Sequence, residues 1–238
     1  MIRARLGELD CVVVEEGPGP LQLAVVLCHG FGAPGDDLVP LGPELVARRP
    51  RLSGKVRFVF PCAPLSLDGF GFGDSRAWWM IDLARLTGMR AKGQSLRQEV
   101  PDGLAKARRL LLGMLETLLR QTHLSMGQVV LGGFSQGAML ATDVALRLEE
   151  PPAGLAVLSG TLLCEKEWNQ RAASRRGLPV VQTHGRQDPL LPFEEAVALH
   201  ELFVRNGLVA ELISFDGGHT IDPSGLEKLG DFLVNRLP

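Results

Sequence analysis

The sequence contains no apolar run long enough to cross a bilayer. Its most notable apolar stretch, Leu21 to Cys28, covers eight residues and includes Gln22, whereas a spanning helix needs roughly twenty apolar residues. That run reads as a buried strand, and stable membrane insertion is not expected. The N-terminus, Met1-Ile2-Arg3-Ala4-Arg5, leads into acidic and polar residues without the apolar segment of a secretory signal. Cysteine is scarce: Cys11, Cys28, Cys62 and Cys164 stand apart, with no CxxC pair and no histidine at metal-ligand spacing. Cys28 adjoins His29, but neighbours on a strand point to opposite faces and do not readily share one metal. No metal site is expected, and reduced thiols point to a cytoplasmic setting. Neither sign of charge is in excess, with 27 acids against 25 bases spread along the chain. No basic face is marked for nucleic acid or anionic lipid, and a small neutral or amphiphilic substrate fits better.

What is present is an alternation. The 238 residues, 45% hydrophobic and 22% charged, suit one globular domain over residues 1–238. Short apolar or β-branched runs read as strands at Leu23 to Cys28, Val56 to Phe60, Gln128 to Leu131, Gly154 to Leu158, Leu178 to Thr183 and Ala210 to Phe215. Helical periodicity occupies Ser95 to Gln121, Gln136 to Glu149, Phe193 to Asn206 and Gly225 to Arg236. This order predicts an α/β fold, a mostly parallel central sheet with helices on both faces. In the longest helical segment Leu104, Leu111, Leu115, Leu118 and Leu119 form one stripe opposite Lys106, Arg109, Glu116 and Arg120, which predicts packing on a core. Between Pro61 and Met89 lies a stretch rich in Gly, Pro and aromatics, too long for a plain connection. Its Gly69-Phe70-Gly71-Phe72-Gly73 run is not G-x-G-x-x-G and does not join a strand to a helix, so no dinucleotide site is expected.

The chemistry centres on Gly133-Phe134-Ser135-Gln136-Gly137, which follows a strand and opens a helix. A serine at so sharp a turn is forced into strained backbone geometry, and the flanking glycines leave room for strand and helix to approach. The positive end of the following helix favours an anion beside the hydroxyl. Serine is a weak nucleophile at neutral pH and needs a base, itself oriented by a carboxylate. Asp188, in His184-Gly185-Arg186-Gln187-Asp188-Pro189, lies 53 residues beyond Ser135 at the end of a later strand. His219, in Asp216-Gly217-Gly218-His219, follows after 31 more. Each interval holds a strand and a crossover helix, which brings all three residues to one sheet edge. Of the competing acids, Asp216 sits too close to His219, and Asp222 before Pro223 reads as a helix N-cap. His123, His184 and His200 read as structural. The His29-Gly30-Phe31-Gly32 loop can aim the Phe31 N–H, together with that of Gln136, at a developing oxyanion. The tryptophans of Arg76-Ala77-Trp78-Trp79-Met80 suit an apolar pocket wall or the core.

These motifs, with Phe60-Pro61-Cys62-Ala63-Pro64, Leu158-Ser159-Gly160 and Gly218-His219, resemble the phospholipase/carboxylesterase family, which includes acyl-protein thioesterases. The resemblance implies an α/β-hydrolase fold, a triad of Ser135, Asp188 and His219, and hydrolysis of acyl esters or thioesters without metal or cofactor. It also implies a pocket around Trp78, Trp79, Met80 and Leu163, and it admits a homodimer. The family usually carries Leu where Phe31 stands, commonly Gln at Cys62 and often Asp at Met80. A bulkier Phe31 narrows the acyl entrance, so short or medium acyl chains are expected. Two other readings stay open at this stage: a lysophospholipase or lactone, amide or carbonate hydrolase on the same fold, and an inactive hydrolase-like binding domain.

Overall fold

The computed structural model describes residues 1–71, 73–82, 84–85 and 95–238. Phe72 of the glycine-rich run and the end of the loop at Met89 lie outside these residues. The elements that position the site run in chain order as β1 (Ile2–Leu6), β2 (Leu9–Glu15), β3 (Leu23–Cys28), α1 (Leu41–Arg48), β4 (Val56–Pro61), β5 (Leu65–Ser66) and β6 (Arg76–Ala77). They continue with α2 (Leu104–Thr122), β7 (Val129–Phe134), α3 (Gln136–Arg147), β8 (Gly154–Leu158) and α4 (Glu165–Ala172). The chain closes with β9 (Pro179–Gly185), α5 (Phe193–Arg205), β10 (Val209–Phe215) and α6 (Pro223–Val234).

Eight strands form one sheet in the order β1-β2-β4-β3-β7-β8-β9-β10. β1 and β2 pair antiparallel, as do β2 and β4, and every later pairing is parallel. Alternation within β3 shows how the layers divide. Ala24, Val26 and Cys28 join the core under α2, α3, α4 and α5, while Leu23, Val25 and Leu27 join the core under α1 and α6. All six residues are buried, as a strand covered on both faces requires. The parallel stretch sends the carboxyl ends of β3, β7, β8, β9 and β10 to one edge, where ligands bind in open α/β sheets.

Some expectations shift. The helix expected from Ser95 begins only at Leu104. Pro101 has no N–H to continue a helix, and Gly103 turns left-handed at φ 93°. The leucine stripe does face inward: Leu104, Leu111, Leu115 and Leu118 are buried, Leu119 is partly so, and the four charged residues opposite are exposed. The stretch after Pro61 is less irregular than expected, since β5 and β6 pair as a small antiparallel ribbon. Asp222 is the N-cap of α6, accepting from the Ser224 N–H at 2.8 Å.

Helix α3, which opens at the Ser135 turn, is held from behind by a buried carboxylate. Asp143 is completely enclosed and accepts from Arg108 Nε at 2.5 Å, Arg147 Nε at 3.0 Å and Trp168 Nε1 at 3.0 Å. These partners tie α2, α3 and α4 together. Replacing Asp143 by Ala leaves the Arg108 guanidinium and the Trp168 indole N–H without their acceptor, while Arg147 keeps Glu167. A loss of about 3 kcal/mol in urea unfolding is expected, at the low end for a broken buried pair because both arginines reach solvent.

Candidate active site

The turn at Ser135 is imposed by how closely two backbones meet. A Cβ on Gly133 would stand 2.5 Å from Cys28 O, and one on Gly137 would stand 2.0 Å from the same oxygen. Only glycine fits either position, so strand β7 and helix α3 can press against the end of β3. The chain reverses between them at Ser135, whose φ of 52° and ψ of −116° lie outside the ordinary regions for an L residue. The Ser135 N–H donates to Leu158 O at 2.9 Å, fastening the turn to the end of β8. The side chain opens on a cleft of about 410 Å³ shared with His219, Phe31, Trp79, Met80 and Leu163.

Behind His219 lies Asp188, whose carboxylate is fully buried. His219 Nδ1 and Asp188 Oδ2 are 2.6 Å apart, while Asp188 Oδ1 accepts from the N–H groups of Leu190 and Leu191 at 2.8 Å each. Burial alone would raise this carboxyl, but donors from His184, His219 and Leu191 together outweigh it and hold Asp188 well below the usual carboxylate range. His184, read from the sequence as structural, has Nε2 3.3 Å from Asp188 Oδ2 and 2.9 Å from Leu191 O. A carbonyl can only accept, so Nε2 carries the proton. The loops that carry Asp188 and His219 interlock: Gln187 N–H donates to Gly217 O at 3.0 Å, and a Cβ on Gly185 would come within 2.2 Å of Gly218 O. Asp216, the competing acid, is exposed.

On the other side of the cleft, the Phe31 N–H is aimed by His29. The Ala63 N–H donates to His29 Nε2 at 3.1 Å, so the ring proton sits on Nδ1 and is given to Gly30 O at 2.8 Å. Burial pushes the His29 pKa down, which keeps this neutral tautomer. In a trans peptide the C=O and N–H point opposite ways, so fixing Gly30 O also fixes the Phe31 N–H. Gln136 contributes more than its place after the serine. Its side chain accepts from Trp78 N–H at 2.9 Å and donates to Trp79 O at 2.8 Å.

Trp79, Met80 and Leu163 line the cleft, but Trp78 does not. It turns into the core, where its indole N–H donates to His29 O at 2.9 Å. The cleft also takes in Phe134, Met139, Val100, Leu190 and Leu191, which the sequence does not single out. Leu190 and Leu191 follow the end of β9, Phe134 closes β7 and Met139 sits on the first turn of α3, which hints at such a place, whereas Val100 ahead of α2 carries no such signal.

A parallel sheet with a strained serine between strand and helix, and a histidine–carboxylate pair on later strand ends, defines an α/β-hydrolase. The family model described as phospholipase/carboxylesterase matches residues 9–236, and the chain belongs to that family. Acyl-protein thioesterase 1 of Emericella nidulans is 27% identical over 221 residues, 90% of each chain. The protein of the same name from Eremothecium gossypii is 29% identical over 226 residues, 92% of this chain and 89% of its own. Among solved structures, esterase PE8 superposes with a TM-score of 0.81 at 30% identity, covering 96% of this chain and 99% of its own. The chain is accordingly a hydrolase of carboxylic ester or thioester bonds.

Replacing Asp188 by Asn keeps the shape but reverses the hydrogen bond that selects the His219 tautomer. A fall of about 10⁴ in kcat is expected from steady-state kinetics, with folding intact by circular dichroism. Because the folded carboxyl is depressed, its ionised form stabilises the fold fully above the ordinary value of 3.8. That contribution declines as pH falls toward the folded value. The stability gap between parent and Asp188→Asn should be flat above pH ~5 and narrow below pH ~4 in urea titrations.

Proposed function

We propose that the protein cleaves acyl esters or thioesters through an acyl-enzyme on Ser135. The observation that carries this reading is the 2.6 Å contact between His219 Nδ1 and Asp188 Oδ2, on the same cleft as a serine held at φ 52°. His219 takes the Ser135 proton as Oγ attacks the carbonyl carbon. The N–H groups of Phe31 and Gln136 receive the oxyanion, each lowering the barrier by roughly 3 kcal/mol. His219 then gives its proton to the departing alkoxide or thiolate, and water deacylates the serine by the same route to release a carboxylic acid. Neither metal nor cofactor is needed for these steps.

The acyl group is an apolar one of short or medium length. Support comes from the walls of the cleft, where Phe31 stands beside Ser135 with Trp79, Met80 and Leu163. The setting is cytoplasmic, a reading supported by four cysteines that are all free thiols. No helix among the described residues is long and apolar enough to cross a membrane.

Ser135→Ala should abolish both turnover and labelling by a fluorophosphonate probe while leaving the thermal midpoint near that of the parent. Retained esterase activity in that variant overturns the mechanism. A series of p-nitrophenyl esters should show kcat/KM greatest for short or medium chains, and a maximum at long chains refutes the acyl preference.

A further inference from the structure

Ser159, the residue after β8, takes part in none of the chemical steps above, yet its backbone is held at a φ of 49°. An L side chain in that left-handed region is strained, and such strain persists only where the surroundings impose it. Ser159 is completely buried. Its N–H donates to Thr183 O in β9 at 2.9 Å, and the preceding carbonyl, Leu158 O, accepts from the Ser135 N–H at 2.9 Å. Its hydroxyl donates to Thr220 O at 3.0 Å. The two residues Leu158 and Ser159 thus touch the nucleophile turn, the strand that leads to the acid, and the loop that carries the base.

Glycine would adopt this backbone without strain. What serine adds is the hydroxyl, and that hydroxyl is spent on the residue directly after His219. The loop ahead of His219 contains Gly217 and Gly218, which on their own leave the histidine loosely placed. On that side the Gln187 N–H holds Gly217 O, and on the far side Ser159 Oγ holds Thr220 O. His219 is bracketed between a contact from the acid loop and a contact from the end of β8.

We propose that Ser159 is a positioning residue for His219, its hydroxyl fixing the histidine backbone so that Nδ1 meets Asp188 while the ring faces the cleft. This rests on the triad reading. It predicts that the hydroxyl matters for turnover more than for folding.

The test compares Ser159→Gly and Ser159→Ala in the full chain, with Ser135→Ala as control. Steady-state kinetics on a p-nitrophenyl ester, the thermal midpoint and the downfield proton resonance of the short His219–Asp188 hydrogen bond are measured. Both Ser159 variants should lose about tenfold or more in kcat, with KM within about twofold of the parent and the downfield resonance shifted or broadened. The glycine variant relieves the backbone strain, so it should keep the parental thermal midpoint and carries the test if the alanine variant folds poorly. A glycine variant with parental kcat overturns the proposal. So does a loss of kcat that leaves the downfield resonance unchanged. An active Ser135→Ala control overturns the triad reading itself, whereas an inactive control beside fully active Ser159 variants rejects the role of Ser159 alone.

Discussion

The site depends on one steric fact, the contact of bare backbone with bare backbone at Gly133 and Gly137 against Cys28 O. A methyl group at either position would overlap that oxygen. With the contact made, β7 ends against the loop after His29, α3 starts beside it, and the residue between them has no ordinary conformation left. The strain at Ser135 is therefore a result of packing and not of the serine. It is sustained by the buried core on both faces of the sheet and by the Asp143 network behind α3.

Around that contact, electrostatics are arranged so that each polar group has one available role. Asp188 is buried yet ionised because several donors converge on it, and it can offer His219 only an acceptor. His29 is kept neutral by burial and has its tautomer chosen by the Ala63 N–H, so it can offer Gly30 only a donor. The two histidines have opposite settings, one against a buried carboxylate at the cleft and the other behind a backbone N–H. Little reorganisation is left for the moment of reaction, which is the condition under which fixed dipoles act most strongly.

Much of this was legible in the amino-acid order, for identifiable reasons. The parallel strands are short, mostly apolar runs, and the structure places their boundaries within a few residues of expectation. Ser135, Asp188 and His219 each follow such a run, so topology alone carries them to one edge. The antiparallel β1 and β2 are not among the expected elements, although Arg3 and Arg5 alternate with Ile2, Ala4 and Leu6 and Cys11 to Val14 is an unbroken apolar run. Nor are α1 and α4, each eight residues long. In α1 Pro43 and Gly42 mask the period, and in α4 only Trp168 and Ala172 are buried. The role of Trp78 depends on a contact 49 residues away at the end of β3, and that of His184 on how the turn after Asp188 folds back over its ring. Spacing carries no signal for these.

The side-chain amide of Gln136 bridges the N–H of Trp78 and the carbonyl of Trp79. One wall of the cleft is thereby bolted to the residue that follows Ser135, and neither can shift without the other. Selectivity in such a protein has to diversify elsewhere, through side chains that face the cleft without bonding the reacting turn. Met80, Val100 and Leu190 meet that condition: their apolar side chains are exposed at the cleft, even where the backbone is held, as the Leu190 N–H is by Asp188. They form a tunable rim on an inherited frame, so a change of acyl preference can accumulate there one residue at a time while the hydrolytic apparatus stays as it is.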